Sequence, residues 1–488
     1  LGLAAFFRMW KIDQYMTFLG DEGRDALMIK RILTTFDFPF IGPPTSIGNI
    51  YLGPLYYYMM SLPMAIFWLS PVSAAVMVAL IGVLTVWLIY YLASEWFGKL
   101  AGLVSAFLYA ISPITIIYSR SSWNPNPTPF FALLSIFGLY LVRKTGDFRY
   151  LTLTGGALAF ALQMHYLALI LLPIVALLFF YQTSLKRRRK LQGQYFWSGT
   201  LSGIVIFFLL MSPLVVFDLK HNFLNYQAIS AFFMQRETTV NLNPINSLER
   251  IIPIYSHNLI GRYMTGENEW LTPIVSGLLI LPLLVAFAKK LKGQVVQWSY
   301  LGLAGWLILG IVGLSLYKQS VYDHYLGFLN PAPYLLFGGL ISWILTIKKA
   351  RYFTIGGMII LILSLTVVNL QKNPLKDSPN KQLQRTQNIA KFVINEAGAE
   401  PFNFALIAKN NYDAAYQFYL NIYGHKPKQV PFDITDQLFV VCEDAVCNPV
   451  VNPKQEISHF GMTKVSWEKE FEGVKIYKLV HNVSGKPQ

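Results

Sequence analysis

Ten apolar runs punctuate the chain, near 73–93, 100–118, 129–142, 151–163, 165–182, 196–213, 271–288, 298–316, 331–347 and 353–370, separated by short polar or basic segments. Stretches such as 74–92, 196–210 and 353–370 approach the ~20 apolar residues that cross a bilayer as a helix. The pattern predicts a helix at each of the ten positions. An eleventh apolar stretch, 1–7, is too short to span, and it is expected to be the tail of a truncated first transmembrane helix. About eleven spans are therefore expected.

Basic clusters fall between these runs: Arg143, Lys144 and Arg149; 186–190; Lys289, Lys290 and Lys292; and Lys348, Lys349 and Arg351. Loops rich in Lys and Arg face the cytoplasm, which sets the parity of most spans. The stretch 151–182 has basic clusters at both ends, so it must cross an even number of times, as two short helices meeting near His165 at the outer side. The apolar segment 54–69 cannot span without putting Lys99 on the wrong side. It is expected to lie at the outer interface. Two long outer loops follow, 11–72 and 214–270, and function is expected on that side. His165, His221, His257 and His324 all fall at predicted outer ends or loops, where polar residues beside lipid are suggestive of a site.

Composition agrees with this class. Of 488 residues, 54% are hydrophobic and only 13% charged, against ~25% charged in ordinary soluble domains. The net charge of +15 resides in the loop clusters, so it is expected to set topology rather than to bind nucleic acid.

The sharpest local pattern is Gly20-Asp21-Glu22-Gly23-Arg24-Asp25-Ala26, which opens an amphipathic stretch in the first outer loop. It is followed by the segment Pro54-Leu55-Tyr56-Tyr57-Tyr58, by Ser112-Pro113, by Tyr118-Ser119-Arg120, by His165-Tyr166 between paired short helices, and by His324-Tyr325-Leu326 with Pro331 and Pro333 downstream. In this order the motifs resemble the C superfamily of glycosyltransferases, especially the branch of protein O-mannosyltransferases and lipid A aminoarabinose transferases. The resemblance covers roughly residues 1–371 and implies a polytopic helical membrane enzyme that takes sugar from a polyprenyl-phosphate donor at the outer face of the membrane.

Glycosyl transfer passes through an oxocarbenium-like state and needs a carboxylate to accept the proton of the acceptor. The resemblance makes Asp21 the candidate general base, with Glu22 orienting it, binding acceptor or holding a metal. The plainer reading is a helix N-terminus, where acidic residues meet the dipole favourably. The phosphate leaving group calls for cationic or hydrogen-bonding partners. Arg24, Arg120, Asn124, Lys318, Tyr322 and His324 are the candidates, with His165 and Tyr166 as weaker ones. Arg120 could equally cap a helix end, and Lys318 could simply pair with Asp323. No ligand spacing supports a divalent metal. Two departures from the resembled families matter. The loop 121–129 carries Asn124 and Asn126 where many relatives have a carboxylate, and the His-Pro-Pro element of mannosyltransferases is replaced by Leu52-Gly53-Pro54. Neither mannose nor a protein acceptor is therefore assigned; lipid, glycan and protein acceptors stay open. The dense outer aromatics, Trp123 and Tyr166 among them, suit either sugar stacking or an interfacial belt.

From 372 the composition turns polar, and a small outer α/β domain is expected over 372–488, with helices at 383–396 and 412–423 and strands at 403–407, 437–442 and 474–479. Cys442 and Cys447 could close a short loop as a disulfide in an oxidising compartment. Two other functions fit the class: a flippase for lipid-linked sugars, which should show inverted repeats and mid-membrane charges, and a non-catalytic membrane scaffold. The lack of eukaryotic targeting features points to the cytoplasmic membrane of a prokaryote.

Overall fold

The computed structural model describes residues 1–45, 50–188, 195–234, 240, 244–348 and 351–482; Arg189, Lys190 and Lys349 of the basic clusters lie outside the described residues. The chain opens with α1 (Gly2–Met9), α2 (Ile12–Tyr15), α3 (Gly20–Thr35) and α4 (Leu55–Ile66). The apolar bundle follows as α5 (Pro71–Phe97), α6 (Lys99–Ile111), α7 (Pro113–Tyr118), α8 (Thr128–Thr145), α9 (Leu151–Met164), α10 (Leu171–Arg188) and α11 (Phe196–Lys220). After α12 (Leu224–Met234) and α13 (Pro244–Ile252), a π-helical stretch Pro253–Gly261 leads to α14 (Leu271–Leu291), α15 (Trp298–Ser315), α16 (Pro331–Leu345) and α17 (Arg351–Gln371).

A helix forms at each of the ten predicted positions. Among the described residues, six helices are long and apolar enough to cross a membrane. The sequence reading ended the sixth predicted helix at Pro213, but α11 runs on to Lys220. The residues beyond the proline are still apolar, and a helix beside lipid keeps its backbone groups satisfied only by continuing. The segment 214–270, expected as an outer loop, is accordingly largely helical among its described residues. The segment 54–69 forms α4, which buries Tyr56, Tyr57, Met60 and Met64 and exposes Leu62, Ile66, Phe67 and Trp68, the two-faced pattern of a helix at an interface.

The bundle is polarised. Arg143 and Lys144 end α8 and Lys289 and Lys290 end α14, while Lys144 pairs with Glu95, near the end of α5, at 2.5 Å. The opposite helix ends carry His165 and the 3-10 turn Asp323–Leu326. The basic residues and the polar residues of a site are thereby held at opposite ends of the helices.

The C-terminal unit comprises α18 (Gln382–Ala397), β1 (Asn403–Ile407), α19 (Ala414–Ile422), β2 (Gln437–Cys442), α20 (Gln455–Ser458), β3 (Thr463–Phe471) and β4 (Val474–His481), in a sheet of order β1-β2-β4-β3. β1 and β2 run parallel, and β4 lies antiparallel between β2 and β3. Cys442 and Cys447 are joined as a disulfide. β3 is absent from the sequence reading. It is an edge strand whose Lys464, Glu468, Lys469 and Glu470 face solvent, charge that protects an edge and also hides the strand pattern.

This unit does not stand apart from the membrane helices, for one cluster of buried side chains runs from the bundle into α18 and α19. The Phe18 ring meets Phe418 and Tyr419 at 5.9 and 5.6 Å, and Gln382 accepts from the Phe18 amide. Two glycines set the approach. A Cβ on Gly23 would lie 2.2 Å from the backbone nitrogen of Ala415, and one on Gly20 would lie 2.4 Å from the Tyr412 ring. At Gly23 the neighbour is backbone and cannot step aside, so α3 and α19 touch only because that position has no side chain.

Replacing Gly23 with Val is therefore expected to part α3 from α19, at a cost of about 1–3 kcal/mol or more by overpacking. The thermal midpoint of the detergent-solubilised protein should fall by several degrees, and limited proteolysis should begin to cut around 372–382. Gly277→Ala, where the new methyl meets nothing within 4 Å, should leave both readouts unchanged.

Candidate functional site

The first two turns of α3 carry three carboxylates, Asp21, Glu22 and Asp25, and one guanidinium, Arg24. Spacing of three and four residues brings Asp21, Arg24 and Asp25 onto one helix face. Arg24 donates to Asp21 Oδ1 at 2.8 Å, and through Nε and Nη2 to Asp25 Oδ1 at 2.9 and 2.8 Å. Burial alone would lower the Arg24 guanidinium, yet Asp25, Tyr57 and Asp21 hold it above its ordinary value. Asp25 is 1% exposed, its Oδ2 has no hydrogen-bond partner among the described residues, and burial pushes its carboxyl up to about 7 against the pull of Arg24.

Asp21 is the exposed member, at 39% of its side chain. Its Oδ1 also accepts from the Tyr412 hydroxyl at 2.8 Å, and its Oδ2 accepts from Trp123 Nε1 at 3.1 Å. The Trp123 ring lies 4.6 Å from His324, which in turn is 5.5 Å from His165. A continuous path of contacts thus joins Asp21 to His324. Burial lowers the His324 imidazole to about 4, the nearby Asp323 and Asp21 only partly opposing it. At neutral pH it is an uncharged hydrogen-bonding ring and not a cation.

Trp123, Tyr322 and His324 line a cavity of about 900 Å³ together with His257, Asn258, Arg262 and Asp323. Arg262 donates to both Asp323 oxygens, at 2.8 and 2.5 Å, and to Glu267 at 2.8 Å. These bonds, led by those to Asp323, hold its guanidinium above its ordinary value. It supplies the fixed positive charge of the cavity.

Other sequence candidates do different work. Arg120 is not in the cavity: its two terminal nitrogens donate to the carbonyls of Phe7 and Trp10 at 2.6 Å, so it secures the end of α1, whose last carbonyls need donors. Asp323 pairs with Arg262 rather than with Lys318, and Lys318 lies outside the cavity lining. Asn124 donates to the Met164 carbonyl at 2.9 Å and so pins the end of α9. Glu22, 6% exposed, accepts from the Leu19 amide at 3.0 Å, which is half of a capping box. His165 Nδ1 accepts from the Leu167 amide. The Tyr166 hydroxyl stands 3.2 Å from that of Tyr317, and both rings border a second, almost wholly apolar cavity of about 270 Å³ that includes Leu52, Leu162 and Leu316. His221 stacks on Phe217, away from both cavities.

Arg262, Asp25 and Tyr412 were not singled out by the sequence. Asp25 had a signal, its four-residue spacing from Asp21. Arg262 and Tyr412 had none, because their partners lie 61 and 391 residues away. Among the described residues no group of three or more His, Cys, Asp or Glu converges. With a guanidinium and a phenol already on Asp21, and Glu22 turned to a backbone amide, this set does not fit a divalent cation.

Burial also pushes the Glu22 carboxyl up, to about 7, with the Leu19 amide pulling the other way. A carboxyl raised on folding stabilises the fold fully below its unfolded value near 4.5 and loses that contribution as pH rises through the folded value. Glu22→Gln keeps an acceptor for the Leu19 amide and removes the titration. Its thermal midpoint should match the wild type near pH 4.5 and exceed it at pH 8, by a free energy on the order of 3 kcal/mol. Parallel unfolding curves at both pH values would refute this.

Residues 52–217 match the family model described as dolichyl-phosphate-mannose-protein mannosyltransferase. An uncharacterized protein from Aquifex aeolicus is 26% identical over 350 residues, covering 70% of this chain and 72% of that one. Among solved structures, ArnT from Cupriavidus metallidurans bound to undecaprenyl phosphate has 14% identity and a TM-score of 0.57, over 100% of this chain and 98% of its own. The apo state of the same protein gives 13% identity and a TM-score of 0.60, over 98% and 96%. The Archaeoglobus fulgidus oligosaccharyltransferase in complex with Zn and sulfate gives 14% identity and a TM-score of 0.52, over 88% of this chain and 61% of that one. The chain shares the fold of these membrane glycosyltransferase structures, and its residues 52–217 match the dolichyl-phosphate-mannose-protein mannosyltransferase family model.

Proposed function

We propose that the protein transfers a sugar from a polyprenyl-phosphate donor to an acceptor hydroxyl at the outer face of a prokaryotic cytoplasmic membrane, in one inverting displacement. The observation that carries this reading is Asp21, a half-exposed carboxylate joined through Trp123 to a cavity that also holds Arg262 and His324. The acceptor oxygen bonds to the anomeric carbon while the bond from that carbon to the phosphate oxygen breaks. The electron pair leaves on the polyprenyl phosphate, and the acceptor proton passes to Asp21. Arg262 meets the charge growing on the phosphate, and neutral His324 and Tyr322 donate or accept beside it. The apolar cavity by Tyr166 suits the first units of the lipid chain, and the undecaprenyl phosphate bound to ArnT supports a donor of that class. The basic clusters at the far ends of the bundle support the outward side for the site. The acceptor, whether lipid, glycan or protein, is a hydroxyl compound on that side.

In proteoliposomes supplied with labelled polyprenyl-phosphate sugars, Asp21→Asn is expected to lower transfer by ~10²–10⁴-fold, the usual range for loss of a general base. The Asp21→Asn protein should keep the wild-type thermal midpoint within a few degrees. Arg262→Ala should lower transfer similarly, with Arg262→Lys recovering only part, because the planar fork that grips a phosphate is lost. Donor lipid crossing the bilayer without being consumed would replace this reading with a transporter.

A further inference from the structure

Asp21 lies between two spaces. On its Oδ2 side, Trp123 lines the cavity that holds Arg262 and His324. On its Oδ1 side, Arg24 and Tyr412 line a separate cleft of about 700 Å³ between α3 and the C-terminal unit. One carboxylate therefore meets the walls of both. A base in a displacement reaction needs that arrangement, with the leaving group on one side and the incoming hydroxyl on the other.

We propose that the cleft between α3 and α19 is the acceptor subsite, and that it takes a saccharide bearing a carboxylate or phosphate group. This rests on the reading of Asp21 as the base. Lys30 on α3 and Lys426 beyond α19 line opposite parts of the cleft. Neither faces a carboxylate partner: Lys30 donates to the neutral Asn421 amide oxygen at 3.0 Å, and Lys426 has no side-chain hydrogen bond or ion pair among the described residues. Two ammonium groups without counter-ions favour an anionic guest, and each charge-assisted hydrogen bond is about twice as strong as a neutral one. Thr34, Gln417 and Gln429 add donors and acceptors suited to sugar hydroxyls. Two acids line the cleft, Asp413 and Glu456, against the five cations Arg24, Lys30, Arg31, Lys426 and Lys428; Asp413 is tied to Gln417 at 2.7 Å, and burial raises its carboxyl, which reduces its opposition to an anion.

Tyr412 fixes the direction of entry. Its hydroxyl donates to Asp21 Oδ1 at 2.8 Å, the contact an acceptor hydroxyl must make before giving up its proton. The tyrosine holds that place in the empty cleft and yields it to the acceptor. The acceptor hydroxyl then replaces the tyrosine on the same oxygen, so the exchange leaves the Asp21 carboxylate with a donor.

The test is calorimetric binding of two probes, tetragalacturonate and neutral maltotetraose, to the full-length protein in detergent. Tetragalacturonate should bind the wild type, and a Lys30→Gln, Lys426→Gln double variant of unchanged thermal midpoint should bind it about tenfold or more weakly, as expected for lost charge-assisted contacts. Tyr412→Phe should bind it at least as tightly as the wild type. Equal binding of maltotetraose, no binding of tetragalacturonate, or a double variant with wild-type affinity would each overturn the proposal. Asp21→Asn separates the two readings: retained binding with lost transfer supports both, whereas retained binding with intact transfer removes the base and leaves the cleft.

Discussion

The closeness of α3 to α19 is the constraint on which the candidate site depends. Asp21 and Gly23 sit in the same helical turn, so whatever sets the depth of Gly23 against Ala415 also sets the position of the Asp21 carboxylate. Because the neighbour of Gly23 is backbone at 2.2 Å from a would-be Cβ, that depth is fixed by two helices in van der Waals contact and not by flexible side chains. Phe18, wedged against Phe418 and Tyr419, anchors the residue just before the helix. The C-terminal unit is thus part of the framework that holds the carboxylate, and it supplies one of its hydrogen bonds.

The cost of gathering three carboxylates within two helical turns is met in different ways. Asp25 and Glu22 are buried, and both are pushed up to about 7; each has one directed partner, a guanidinium in one case and a backbone amide in the other. Asp21 stays partly in water, with 39% of its side chain exposed. Arg24 links Asp21 to Asp25 and keeps like charges from facing each other without a cation between them. The two buried acids support the turn, and Asp21 is the one that reaches solvent.

The helices were legible because a bilayer demands long apolar segments, and that demand is written directly into composition. Each of the ten predicted helices is there, and β1 and β2 match their predicted bounds, since buried strands of β-branched and aromatic residues leave a plain pattern. β3 was not legible: its solvent face is charged, and its register shifts between Val465 and Trp467, so neither alternation nor hydrophobicity marks it. In the site, the local part could be read and the long-range part could not. The Asp21 motif stands out because its charges are clustered in sequence among apolar residues. Arg120 and Asn124 stood out as hydrogen-bonding partners for a phosphate or sugar, yet their donors are taken by carbonyls of Phe7, Trp10 and Met164. A polar side chain near lipid needs a partner whether it serves structure or chemistry, and the sequence does not say which.

The two sides of Asp21 share one design. In the cavity, Arg262 has committed every arm: two nitrogens to Asp323, whose side chain is 13% exposed, and one to Glu267, which is 52% exposed. An exposed ion pair contributes ~0–1 kcal/mol, so in the proposed mechanism a phosphate replaces Glu267 with little loss while Asp323 continues to orient the guanidinium. In the cleft, the Tyr412 hydroxyl occupies the oxygen of Asp21 that an acceptor would use. Each side is therefore satisfied when empty, by a contact weak enough to be exchanged. Leaving Arg262 and Asp21 unpaired would hold them ready at a cost in stability, and pairing them with buried partners alone would close them to substrate.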